Sequence, residues 1–201
     1  MNEIEARIES LGKARLLGHF EHASEEWHNA RAGIGGSDIG TILGVNPYKT
    51  RQMLLEERLS GSRGVSMPNL AMRLGTEFEP AIRRVWAEEN WHSYSVEQTG
   101  TWQSNENPLW KANPDGILID NAKNLGILEI KNSMARDLSE TWVCQVNWYM
   151  MTLGLNFGVI VQCKGNKFVE YPLEGDINLQ NDMRAAALAF ERELQNGIQP
   201  S

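Results

Sequence analysis

Asn113-Pro114-Asp115-Gly116 forms a tight polar corner, and Leu128-Glu129-Ile130-Lys131 ends an apolar run shortly after it. Asp115 and Glu129 offer hard carboxylate oxygens of the kind Mg²⁺ takes as ligands. The ammonium of Lys131 can hold an attacking water or a phosphate oxygen. Side chains on a strand alternate between faces, so Glu129 and Lys131 share one side while Leu128 and Ile130 share the other. An acid, a gap, and a second acid two residues before a lysine is a minimal set for metal-assisted cleavage of a phosphodiester. A strand carrying a surface Glu-Lys pair beside a Pro-Asp-Gly turn would satisfy the same short pattern, so the rest of the chain has to decide.

The elements around these residues follow from hydrophobic spacing and turn chemistry. Ile4, Ile8 and Leu11 predict an amphipathic helix over 3–17. Trp27 to Gly36 reads as a small-residue loop, with Ser37-Asp38 as the N-cap of a helix that ends at Gly44. A second helix is expected over 50–59, then a flexible connector over 60–69. Met72, Phe78, Ile82, Val85 and Trp86 predict a helix over 70–90, kinked or restarted at Pro80. Residues 92–103 alternate as a strand, and 110–119 with 125–131 read as a hairpin. A helix over 138–153, a hairpin of 157–163 with 167–173, and a helix over 176–196 complete the order. Such an order predicts an α/β fold, one domain spanning 1–201, with a central mixed sheet flanked by helices.

Composition narrows the class. The 201 residues suit one domain with a sizeable core. A hydrophobic content of 41% with 22% charged residues is ordinary for a globular protein. No apolar run is long enough to span a membrane, and the acidic Met1-Asn2-Glu3-Ile4-Glu5 start is unlike a secretion signal, so a cytoplasmic protein is expected. Cys144 and Cys163 lack metal-site spacing and read as reduced core thiols. Two thiols also fall short of the four an iron–sulfur cluster takes. A net charge of −7 argues against holding nucleic acid by bulk charge alone. Basic side chains, with Arg31, Lys49, Arg51, Arg63, Arg73 and Lys131 as candidates, can still line one surface. The seven tryptophans read mainly as core, with Trp27 and Trp110 the least certain, and His28 as structural.

Four segments in order carry a more specific signal: Trp27 to Ser37 with Arg31 and its glycines, Gly75-Thr76-Glu77-Phe78-Glu79, the Asp115/Glu129/Lys131 core, and Gln145-Val146-Asn147-Trp148-Tyr149. From about Trp27 to Gly154 the chain resembles the YqaJ-like viral recombinase family, which includes the phage lambda alkaline exonuclease and belongs to the PD-(D/E)xK nucleases. The resemblance implies a restriction-endonuclease-like core and a Mg²⁺-dependent exonuclease that degrades one strand of linear double-stranded DNA from its 5′ end. It places two Mg²⁺ ions, with Mn²⁺ as a substitute, on Asp115, Glu129, the Ile130 carbonyl and Glu79. Catalytic roles fall on Asp115, Glu129, Lys131 and Gln145, and phosphate contacts on Arg31 and Ser37. Asn113 stands where lambda-like members carry a small hydroxyl residue, and its amide can donate in that residue's place. The resemblance further implies a homotrimeric ring, duplex ends as substrate, a single-strand annealing protein as partner, and a phage or prophage origin.

Each assignment has a plainer rival. Glu79 could be an ordinary acid of a helix's first turn; Glu77, two residues away, sits about 200° round the helix from it. Gln145, three residues from both Trp142 and Trp148, could be a core-edge amide, and Arg31 a surface arginine beside a tight turn. Metal ions nearby would lower the pKa of Lys131. For the whole protein the alternatives are a PD-(D/E)xK endonuclease or nickase, and a non-catalytic DNA-end-binding recombination accessory protein.

Overall fold

Alternation along β6 (Leu125–Asn132) organises the protein. Ile127 points into one core, with Ile117, Ile160, Val146, Trp148 and Met150. Leu128 and Ile130 point into a second, on the opposite face, with Ile82, Trp86, Leu118, Val159 and Val161. Glu129 and Lys131 therefore share the first face, as their spacing predicts. Each fully buried large apolar side chain in these layers contributes about 1.5–3 kcal/mol.

The structure, a computed structural model, describes residues 1–61 and 70–198. Most of the connector expected over 60–69 thus lies outside the described residues, Arg63 included, as does the side chain of Met72. The elements run α1 (Glu3–Ser10), β1 (Ala14–Gly18), α2 (Glu25–Ala30), α3 (Gly36–Ile42), α4 (Arg51–Leu59), α5 (Leu70–Glu89), β2 (Tyr94–Glu97), β3 (Thr101–Ser104), β4 (Lys111–Ala112), β5 (Gly116–Asp120), β6, α6 (Glu140–Leu153), β7 (Phe157–Lys164), β8 (Lys167–Glu174) and α7 (Ile177–Ile198). A five-stranded mixed sheet has the order β2-β5-β6-β7-β8, with β6 and β7 parallel and the other pairs antiparallel. Helices α5 and α6 lie on its two faces, the arrangement of a restriction-endonuclease-like core. A second sheet, β1-β3-β4, is antiparallel.

Several elements differ from the sequence reading. The helix expected over 3–17 stops at Ser10, because Gly12 takes φ +71, and residues 14–18 pair instead with β3. Glycine reaches that left-handed conformation at no steric cost. The expected strand over 92–103 is two strands in different sheets; Gly100 turns the chain between them, so close to the Gly18 carbonyl that a Cβ would lie 2.2 Å from its oxygen. Residues 110–119 are likewise divided at Asn113-Pro114, which carry the chain from β4 to β5. The expected loop at Trp27 contains α2, capped by Ser24. Helix α3 is capped from Gly35, not Ser37, since the Asp38 carboxylate accepts from Gly35 N at 3.0 Å. Helix α5 continues through Pro80 without a restart. Within α5, Ile82 and Trp86 are buried while Phe78 and Val85 are exposed. Trp110 is fully buried, Trp91 is exposed, and Cys163 is only half-buried.

One contact sets where α3 lies. Gly36 and Gly40, one turn apart, let α3 rest directly on α6. A Cβ at Gly36 would meet the Tyr149 ring at 2.6 Å and Gln145 Cγ at 2.9 Å; one at Gly40 would meet Thr141 Cγ2 at 2.7 Å. Gly40→Val should therefore overpack this seam and cost about 1–3 kcal/mol, read as a lowered denaturation midpoint. An unchanged midpoint would show that the two helices do not meet there.

Candidate active site

Strand β5 starts at Gly116, paired with Leu128, so β6 runs past it uncovered. Ile130 consequently has no ladder partner on that side. Its N–H donates to Asp115 Oδ2 at 2.7 Å instead. A strand residue's N–H and C=O lie on the same edge, so the Ile130 carbonyl faces the Asp115 side as well. Asp115, at the corner before β5, is thereby locked beside β6.

Glu129 is 2% exposed. Its Oε1 accepts from Lys131 Nζ at 2.7 Å and from Gln145 Nε2 at 2.6 Å. Gln145 Oε1 in turn accepts from Lys131 Nζ at 3.0 Å, closing a triangle. Gln145 Nε2 also lies 3.1 Å from Tyr149 Oη. The other oxygen, Glu129 Oε2, is buried with no partner among the described residues. A buried carboxylate oxygen without a donor is costly and calls for a cation.

The electrostatics agree. Burial, then the neighbouring Asp115, pushes the Glu129 carboxyl up to about 8. Burial and Asp115 likewise push Glu79 up to about 7, against the lowering pull of Arg83, Lys131 and Arg31. Asp115 is raised by burial, although Lys131 and its bond from Ile130 N oppose this. Burial pulls Lys131 down, but Glu129 and Asp115 outweigh it, so its ammonium is held firmly charged. A lowered Lys131, expected with metal ions beside it, is thus not the state of this cluster on its own.

Asp115, Glu129 and the Ile130 carbonyl fit a divalent cation. Among the described residues no three histidine, cysteine or acidic side chains close on a single point. Glu79 stands at the rim. It pairs with Arg83 Nη1 at 3.3 Å, and the same nitrogen donates to the Asp115 carbonyl at 2.6 Å. Arg83 was not singled out from the sequence; its position one turn after Glu79 was the available signal. Glu77, the rival acid, is exposed.

A cavity of about 270 Å³ adjoins this cluster, reached through Tyr149. Arg31, Ser37 and Asn113, the three expected phosphate contacts, all line it. Arg31 caps the end of α2 and lies 4.3 Å from the Trp27 ring centroid. This cation–π contact fixes its guanidinium. The cavity also takes in His28, Asp38 and Arg58, none of which was given a site role from the sequence.

The sequence pattern of the YqaJ-like viral recombinase domain matches residues 26–156. No protein of curated function matches the chain. Among solved structures, LHK-Exo in complex with dAMP superposes with a TM-score of 0.72 at 23% identity, over 86% of this chain and 93% of that one. LHK-Exo, described as an alkaline exonuclease from Laribacter hongkongensis, also superposes in a second structure at 0.72, with 22% identity and the same coverage. A phage-related exonuclease from Haemophilus somnus gives 0.60 at 11% identity, over 82% of this chain and 94% of that one. These likenesses bear on the fold.

The unpartnered Glu129 oxygen yields a test that needs no substrate. Without metal, Glu129→Gln should melt above the parent at neutral pH, because the buried Glu129 carboxyl, pushed up to about 8, must take up a proton to fold and glutamine need not. Mg²⁺ should raise the parent's melting temperature, since a ligand that binds only the native state stabilises it. It should leave Glu129→Gln unmoved. An equal Mg²⁺-induced shift in both proteins would place the metal elsewhere.

Proposed function

The chain belongs to the YqaJ-like viral recombinase family, and on that footing we propose that it is a Mg²⁺-dependent 5′-to-3′ exonuclease acting on linear double-stranded DNA. It is a deoxyribonuclease, a phosphodiester hydrolase of the phage recombination type. The single observation that carries the reading is the Glu129 carboxylate, with one oxygen bound by Lys131 and Gln145 and the other buried and unpartnered. A buried carboxylate of purely structural role normally has a donor for each oxygen.

A divalent cation held by Asp115, Glu129 and the Ile130 carbonyl, with Glu79 through water, would act as a Lewis acid on the scissile phosphate and make a bound water more acidic. The chain's own residues do the positioning. Lys131 presents its ammonium to the attacking water or a phosphate oxygen. Gln145 holds Lys131 and Glu129 in register, and Tyr149 braces Gln145. Arg83 steadies the Asp115 corner through its carbonyl. Arg31, Ser37 and Asn113 receive the terminal 5′ phosphate in the adjoining cavity, which fixes the polarity of digestion. Phosphate contacts read no sequence, so digestion is sequence-tolerant.

The deciding experiment is digestion of linear duplexes labelled at either end, with Mg²⁺, Ca²⁺ or chelator, beside a closed circular duplex. The expected result is loss of label from the 5′ end with Mg²⁺, binding without turnover with Ca²⁺, and an intact circle. Asp115→Ala, Glu129→Ala and Lys131→Ala should each abolish cleavage while retaining the fold. Activity of Asp115→Ala within about tenfold of the parent would refute the metal assignment, since losing such a centre costs several kcal/mol. Cutting of the circle would make the protein an endonuclease or nickase, and no metal-dependent cleavage at all a DNA-end-binding accessory protein.

The product, a 3′ single strand, suits a single-strand annealing protein as partner. With a net charge of −7 the chain has little bulk attraction for DNA, so enclosure in a homotrimeric ring is the economical way to stay on it. Among the described residues no helix is long and apolar enough to cross a membrane. Native mass spectrometry should report three 22.7 kDa chains. A monomer that digests long duplexes in one binding event would contradict the ring.

A further inference from the structure

A second guanidinium lies in the cavity of Arg31. Arg58, on α4, lines it, and its Nη2 donates to Asp38 Oδ2 at 2.9 Å. That same carboxylate oxygen accepts from Gly35 N. Asp38 therefore sets a negative charge on the wall of the cavity, where it would repel a phosphate. Both members of the pair are largely shielded, with side-chain exposures of 29% and 18%. Partly buried charges are screened less by salt, so these act strongly on whatever enters the cavity. Glu57, also on the lining, is balanced by its ion pair with Lys49. Counting Lys49 with the Glu57 it pairs with, Arg31 and Arg58 against Asp38 leave the cavity and its paired neighbour one positive charge among the described residues.

We propose that Arg58 is a specificity-determining residue for a phosphorylated DNA end: it neutralises Asp38 and, with Arg31, presents a second guanidinium to the terminal phosphate. This rests on the terminal-phosphate reading above. A 5′ phosphate monoester carries a charge of about −1.5 to −2 at neutral pH, whereas a 5′-hydroxyl end has none there. The net charge of the cavity is thus what separates the two ends. Loss of Arg58 takes it from one to zero. Neutralising Asp38 takes it to two. Both changes together restore one.

The test is the ratio of kcat/KM on 5′-phosphorylated over 5′-hydroxyl linear duplexes, for the parent, Arg58→Ala, Asp38→Asn, the double variant and Arg31→Ala, each checked by thermal melting. Arg58→Ala should lower the ratio about tenfold, mainly through KM, the size of one charge-assisted hydrogen bond. Asp38→Asn should raise it, and the double variant should return to within about twofold of the parent. If Asp38→Asn leaves or lowers the ratio, or the double variant stays as low as Arg58→Ala, then Arg58 merely ties α4 to α3 and the inference is wrong. If Arg31→Ala collapses the ratio while the Arg58 and Asp38 variants leave it alone, the inference falls and the terminal-phosphate reading stands. If Arg31→Ala leaves the ratio unmoved as well, both fall. Should Arg58→Ala fail to fold, Asp38→Asn decides alone, because asparagine keeps an acceptor for Gly35 N.

Discussion

Burying the Glu129 carboxylate is the constraint on which the site depends. A carboxylate withdrawn from water must be compensated. Glu129 is almost wholly buried, and only one of its oxygens has a donor among the described residues. The nearby architecture arranges that half-compensation. Alternation in β6 puts Lys131 on the same face, where its ammonium reaches Oε1. Helix α6 brings Gln145 to the same atom. Strand β5 stops short, so the Ile130 backbone and Asp115 meet on the open edge of β6. The glycine seam between α3 and α6 then brings Gly36 against Tyr149 and Gln145, and Tyr149 both lines the Arg31 cavity and contacts Gln145.

Charge is distributed unevenly for an acidic chain. The buried carboxylates Asp115 and Glu129 lie beside Lys131, and Lys131, Arg83 and Arg31 all act on Asp115. Those three cations offset part of the charge that burial concentrates at Asp115. The net charge of −7 is therefore carried by residues outside this cluster.

The clustering of the candidate site residues was legible because their type and period are local properties. Asp115, Glu129, Lys131 and Gln145 come together as the spacing and the family resemblance implied, and Arg31, Ser37 and Asn113 line one cavity. The shared face of Glu129 and Lys131 followed from strand alternation, but the burial of Glu129 on that face did not. What escaped depends on tertiary pairing. Residues 14–18 continue an apparent helical pattern, yet they become β1 because β3 offers a partner and Gly12 ends the helix. Residues 92–103 alternate as one strand, but the break at Gly100 is set by its approach to Gly18, which no local signal encodes. Arg83, Arg58 and Asp38 were missed for a related reason. Each sits on a helix surface where a charge is usually solvated, and only the fold turns it toward the site.

The most direct test of the account is a crystal of the protein soaked in Mn²⁺ and examined by anomalous scattering. The account predicts a peak within coordination distance of Asp115 and of Glu129 Oε2, facing the Ile130 carbonyl, with Lys131 and Gln145 still on Oε1. A fully occupied Mn²⁺ at another place, with Glu129 Oε2 left bare or hydrogen-bonded to protein, would contradict it.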